Sequence, residues 1–240
     1  MDKNNSKMLN YDSKIRSFVL LIALSYLNNS QYSSLGALLG APTDGFSRVS
    51  LSSSNFQLQK PYDQPVQNRY SNNNGVETFR VYSNDKPFQQ GSPTKPRTEI
   101  RISGHDYTSG VWQFEGNFYV PSGTNGVCIM QVFGAANQAT TLQLRVYDGN
   151  LKVYRSQVVV SNIYNKWFKL NVIHDVGNSR VTIFINDQQK VVVGGRGPST
   201  FYFKYGVYAQ DGSSYYMESR WSGIKIFRKN GLNDNVFTSI

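Results

Sequence analysis

A chain of 240 residues with 25 basic and 15 acidic side chains has a formal net charge of +10, which favours anionic partners. The basic residues form no dense run and no RNP-like, zinc-finger or helix-turn-helix pattern accompanies them, so no nucleic-acid partner is expected. A single cysteine, Cys128, rules out an intramolecular disulfide, two histidines cannot make a multi-histidine metal site, and no cofactor is expected.

In chain order, Lys14-Ile15-Arg16 leads into an apolar run from Phe18 to about Leu27. A basic stretch before a short apolar one reads as a secretory signal peptide. The run falls short of the roughly 20 apolar residues that a spanning helix needs, so stable membrane insertion is not expected. We place the signal peptide at residues 1–30, with cleavage between Asn28 and Ala41, and a flexible entry segment at 31–43. One domain follows at 44–229, then a tail at 230–240 that is expected to be disordered. Secretory entry makes the extracellular space, the cell wall or the vacuole the expected location.

From Phe46 onward, short alternating segments are punctuated by Gly, Pro, Asn and Asp. Strands are predicted at 46–51, 76–82, 97–103, 111–120, 127–134, 141–147, 151–155, 167–176, 181–185, 190–193, 201–210 and 217–227. Asp148-Gly149-Asn150 and Asn186-Asp187 are hairpin signals. The polar stretch 57–92 is expected to wrap the sheet edge around the 76–82 strand. Many strands without intervening helices predict an all-β sandwich or barrel.

Side chains on a strand alternate faces, so parity tells which residues share a surface. In 97–103, Thr98, Ile100 and Ile102 take one face, and Arg97, Glu99 and Arg101 the other. In 201–210, Phe203, Tyr205 and Val207 oppose Lys204, Gly206, Tyr208 and Gln210. In 127–134, Cys128, Met130 and Val132 oppose Ile129, Gln131 and Phe133. In 141–147, Leu142, Leu144 and Val146 oppose Thr141, Gln143, Arg145 and Tyr147. Two arginines flanking a glutamate are costly in an apolar core, so that face is expected to be a solvated groove. Arginine forks and amides recognise carboxylates. If these strands are neighbours, which parity alone does not specify, the candidate ligand-binding set is Arg97, Glu99, Arg101, Gln131, Arg145, Lys204 and Gln210. Cys128 reads as a buried small hydrophobe. His174 shares its face with Leu170 and Val172 and reads as a buried structural histidine.

Arg97-Thr98-Glu99-Ile100-Arg101, Gln131-Val132-Phe133 and the run from Tyr202 to Gln210 resemble the three signature strands of the alginate-lyase type 2 superfamily. Gln59-Lys60-Pro61-Tyr62-Asp63, Tyr82-Ser83-Asn84-Asp85-Lys86-Pro87 and Tyr216-Met217-Glu218-Ser219-Arg220-Trp221 make residues 44–229 most similar to its plant citrate-binding-protein branch. The resemblance implies a concanavalin A-like β-jelly roll of two packed antiparallel sheets with a concave cleft, in which the four strands with polar faces are neighbours. In the lyases, an arginine and a glutamine hold the uronate carboxylate, a histidine in Gln-Ile-His or Gln-Val-His removes the C5 proton, and a tyrosine protonates the departing oxygen. Carried over, Arg97 and Gln131 match the carboxylate holders, with Arg101 and Lys204 as supporting cations. Tyr208 matches the acid, and Phe133 stands where the base is expected. Two replacements stay open: Tyr208 as both base and acid, which requires a lowered phenol pKa, or His105 reaching in from a loop. The implied partner is citrate or an acidic polysaccharide. A binding protein without efficient turnover is the leading expectation, and a polysaccharide lyase acting by β-elimination is the alternative. No oligomer interface is legible.

Overall fold

The structure, a computed structural model, describes residues 40–230. The expected signal peptide, the entry segment before residue 40 and the tail from 231 lie outside the described residues. Fifteen strands build two antiparallel sheets. They are β1 (Phe46–Val49), β2 (Phe56–Gln59), β3 (Tyr70–Asn73), β4 (Val76–Tyr82), β5 (Arg97–Ile102), β6 (Val111–Tyr119), β7 (Val127–Phe133) and β8 (Thr140–Tyr147). There follow β9 (Asn150–Val153), β10 (Gln157–Val160), β11 (Trp167–Asp175), β12 (Arg180–Ile185), β13 (Gln188–Gly194), β14 (Tyr202–Ala209) and β15 (Tyr216–Lys229). One sheet runs β13-β12-β11-β6-β15-β4-β3, with β1 also pairing with β15. The other runs β10-β9-β8-β7-β14-β5-β2. A 3-10 turn at Ser53–Asn55 and one α-helical turn, α1 (Val66–Arg69), join the early strands, and α1 is tied down by Arg69, whose guanidinium forks onto Asp85 at 2.8 and 2.6 Å. Among the described residues, no helix is long and apolar enough to cross a membrane.

Alternation explains the layering. Each sheet turns one face inward, and Phe79, Phe114, Phe118 and Trp221 from the first meet Ile100, Met130, Leu144 and Tyr205 from the second. The core is dense in aromatics: Phe114 lies 5.9 Å from Tyr205 and 5.8 Å from Trp221, centroid to centroid. The two hairpins form as expected. Asp148 and Gly149 (φ 53° and 70°) join β8 to β9, and Asn186 and Asp187 (φ 50° and 64°) join β12 to β13.

Several boundaries differ from expectation. β2 and β3 form within the stretch expected only to wrap the edge, because an edge strand has one partner and can remain polar. The strand expected at 151–155 stops at Val153, since Tyr154 takes a left-handed φ of 50° and the chain doubles back into β10, which was not predicted. β15 is longer than expected, pairs with β4 on one edge and β6 on the other, and carries a register shift between Ser222 and Lys225 in the β6 ladder.

Candidate functional site

The outward face of the second sheet carries the predicted residues on four adjacent strands. Register sets Lys204 of β14 opposite Arg101 of β5 and Gln131 of β7, and Tyr208 opposite Arg97. Gln131 in turn faces Gln143 of β8. The parity argument thus placed these side chains on one surface, and strand order makes them neighbours.

That surface is not the freely solvated row expected of it. Glu99 is 2% exposed, Lys204 2% and Gln131 2%. Burial is tolerated because the charges neutralise one another. The Lys204 ammonium and Arg97 Nη1 (2.9 Å) both reach Glu99 Oε1, while Gln131 Nε2 donates to Glu99 Oε2 at 2.5 Å. Lys204 Nζ also donates to Gln59 Oε1 of β2 at 2.6 Å. The chain of bonds continues sideways: Gln143 Nε2 donates to Gln131 Oε1 (3.3 Å), and Arg145 Nε donates to Gln143 Oε1 (2.7 Å). Burial lowers the Lys204 pKa, against the opposing pull of Glu99.

Aromatic rings back the cations. The Arg97 guanidinium lies 3.9 Å from the Tyr208 ring centroid and Arg101 lies 4.0 Å from Tyr202. Phe133 stacks on Tyr202, 4.7 Å between centroids and 14° between planes. Tyr154 lies under both Arg196 (4.1 Å) and Arg145 (5.1 Å). Arg101 also pairs with Asp106. Arg97 and Arg101 each keep a buried Nε–H without an acceptor among the described residues. Four cations (Arg97, Arg101, Arg145 and Lys204) against Glu99 and Asp106 leave the surface positive.

Not every expected residue joins this network. Gln210 turns its amide back onto the carbonyls of Tyr208 (3.3 Å) and Ala209 (3.0 Å), so it closes the strand end instead of lining the floor. His105 lies half-buried in the turn beyond β5, past Arg101, whereas Tyr208 stands opposite Arg97 at the strand's start. At about 3.3 Å per residue, the Arg97 and Arg101 backbones are roughly 13 Å apart, so the His105 turn and the Tyr208 position lie towards opposite ends of β5. Burial pushes the Tyr208 phenol up, outweighing the lowering by Arg97, which is the reverse of what a tyrosine base requires. His174 is buried as expected, its Nδ1 3.0 Å from the Tyr107 hydroxyl.

Cys128 is a correction to the parity reading. A register shift between Cys128 and Met130 sets Cys128 opposite Tyr208 and Arg145 and Met130 opposite Tyr205 and Leu144, so the thiol underlies the polar face instead of the core. Burial raises its pKa, and Glu99 adds to the rise, so it is an inert thiol. Gln59, Gln143, Tyr154 and Tyr202 belong to the site as well. The alternation of 141–147 already put Gln143 there, whereas Gln59 enters through a strand that its polar surroundings concealed.

Gly206 lets β5 and β14 approach between Lys204 and Tyr208. Its φ is 136°, and a Cβ there would meet Thr98 O at 2.5 Å and Glu99 Cα at 2.6 Å. Gly206→Ala is expected to lower the unfolding free energy by about 1–3 kcal/mol, read as a shifted urea midpoint, and to loosen the floor.

Comparison with known proteins places this two-sheet jelly roll in a family. The chain belongs to the alginate lyase family (Alginate_lyase2), whose model matches residues 49–228. It is 57% identical to a citrate-binding protein of Hevea brasiliensis over 224 residues, 91% of this chain and 92% of that protein. Among solved structures it is similar to the family 7 alginate lyase AlgAT5 (TM-score 0.58, 17% identity, 78% of this chain and 98% of that one). It is also similar to the family 7 lyase AlyA1 of Zobellia galactanivorans (TM-score 0.57, 14% identity, 78% and 99%). A variant of the family 7 lyase A1-II′ in complex with substrate gives a TM-score of 0.60 at 14% identity, over 80% and 98% of the two chains. At these identities the structures establish a shared fold.

Proposed function

We propose that this protein binds carboxylates, either citrate or an acidic uronate glycan, in a lyase-type groove that does not turn its ligand over efficiently. The observation that carries this reading is the Phe133–Tyr202–Arg101 stack. Where a proton carrier is expected, a phenyl ring lies flat on a tyrosine. Two further observations support this reading: burial raises the Tyr208 phenol, and His105 follows the far end of β5 from the Arg97–Tyr208 pair. The binding half is supported by arginines held on rings, a buried lysine and amides, with two Nε–H donors unpartnered among the described residues. The 57% identical relative is named for citrate binding, and the match covers 91% of this chain. Carboxylates on a small scaffold match charge-assisted bonds from Arg97 and Arg145, which register sets at one level through Tyr208 and Cys128, and a longer uronate chain also reaches Arg101. The N-terminal 30 residues direct this protein into the secretory pathway, towards the wall, the extracellular space or the vacuole.

The test combines absorbance of the unsaturated uronate product with calorimetry. Alginate, glucuronan and pectic substrates are expected to give a flat trace, while citrate or an oligouronate gives measurable heat. Arg145→Ala, which removes a partly exposed cation of the network, is expected to weaken binding roughly tenfold, about 1.4 kcal/mol. A product signal lost in Tyr208→Phe would replace this reading with that of a lyase. Unchanged affinity in Arg145→Ala would move the ligand off this face.

A further inference from the structure

A second site of opposite charge lies between the sheets. At the end where β2 and β3 form the two edges, the sandwich is not closed. A cavity of about 440 Å³ opens there, walled by Phe56, Leu58 and Ile100 from one sheet and Tyr70, Ile224 and Glu77 from the other. Glu77 faces inward, in line with Phe79 and Val81 and opposite the fully buried Trp221. It is 9% exposed, yet forms no ion pair among the described residues. Its carboxylate is held by two phenols: Tyr70 donates to Oε1 at 2.7 Å and Tyr205 to Oε2 at 2.8 Å. A carboxylate has about four acceptor positions, so two hydrogen bonds leave half its capacity unused.

A buried carboxyl without a cation is costly, and burial does raise the pKa of Glu77 against the two phenols. The phenols are themselves raised, by burial first, so they remain donors. In a protein of net charge +10, this cavity pairs apolar walls with a single anionic end. It is separated from the carboxylate groove by the thickness of β5, whose Ile100 points into the cavity while Glu99 points away from it.

We propose that this cavity is a binding site for a small primary amine with an apolar body. Its ammonium group sits on the free lone pairs of Glu77 and its alkyl or aryl part lies against Phe56, Leu58, Ile100 and Ile224. Charge complementarity selects this occupant: the same walls accept a neutral alcohol equally well only if Glu77 contributes nothing.

The experiment titrates the purified protein at pH 8 with hexylamine, hexanol and hexanoate, by calorimetry and ligand-observed NMR. Hexylamine is expected to bind at least tenfold more tightly than hexanol, with hexanoate excluded. Glu77→Gln should abolish the preference for amine while leaving hexanol and citrate binding unchanged. Leu58→Trp, which fills the cavity, should remove both hexylamine and hexanol. Amine affinity should fall as pH drops and Glu77 takes up its proton. Equal affinity for hexylamine and hexanol, a preference that survives Glu77→Gln, or no binding of either would overturn the proposal. The comparison of the two probes on the unmodified protein requires no variant to fold.

Discussion

Replacing Glu99 by alanine is expected to lower the free energy of unfolding by about 3–5 kcal/mol, the range for breaking a buried pair from one side. Glu99 is the only carboxylate that meets both Lys204 and Arg97 among the described residues, and it also accepts from Gln131. Lys204 is 2% exposed, so without Glu99 its ammonium has only Gln59 for company and water cannot make up the loss. The urea midpoint is the direct measurement. Lys204→Met alone should also destabilise, because it leaves Glu99 with less of its neutralising charge. The double variant Glu99→Ala with Lys204→Met should be less damaging than the two single losses added together, since Lys204 is then not left unpaired, although Arg97 still loses its partner. Additive losses would mean that the two groups do not stabilise each other. The same variants bear on binding: Glu99 holds Arg97 and Lys204 in place, so its removal should weaken citrate affinity even in the fraction that remains folded.

The second large effect is on acid stability and comes from His174. Burial lowers its pKa from an ordinary 6.5 to about 4, with Asp175 opposing the shift. Its ring packs edge-on against Phe201 at 4.6 Å and meets the Tyr107 hydroxyl, an apolar setting that disfavours the imidazolium. Between pH 6.5 and 4 the unfolded chain therefore holds more protons at this residue than the folded one. Stability rises with pH through that window and is lost as pH falls through it, by about 3 kcal/mol in all. Other groups overlay their own trends. Glu77 is raised, so its contribution is full at low pH and declines as pH rises; Glu115 and Asp175 are lowered, so theirs is lost in acid. The difference between the protein and His174→Gln isolates the histidine. Urea midpoints at pH 4.5 and 7 should separate widely in the former and much less in the latter. Equal pH dependence in both would show that His174 titrates normally.

Local chemistry alone determined much of this protein. Turn residues at Asp148-Gly149 and Asn186-Asp187 and the two-residue period of the strands specify an all-β sandwich or barrel, and the family resemblance narrows this to a two-sheet jelly roll. Within each strand the same period puts Arg97, Glu99 and Arg101, Gln143 and Arg145, and Lys204 and Tyr208 on one face, and Phe133 is visible as a residue that cannot carry a proton. These features depend on neighbours one or two residues apart, so they can be read without knowing the partners. The tertiary structure decided the rest. It showed that Glu99 occupies the cations of the floor, that a shifted register moves Cys128 beneath them, and that β2 brings in Gln59. It set His105 and Tyr208 at opposite ends of β5, and it turned Glu77 inward between two tyrosines at an unclosed edge. Each of these depends on which strands pair and in what register. A shift of one residue reverses the face of every side chain after it, and contacts between residues more than a hundred positions apart leave no periodic trace along the chain.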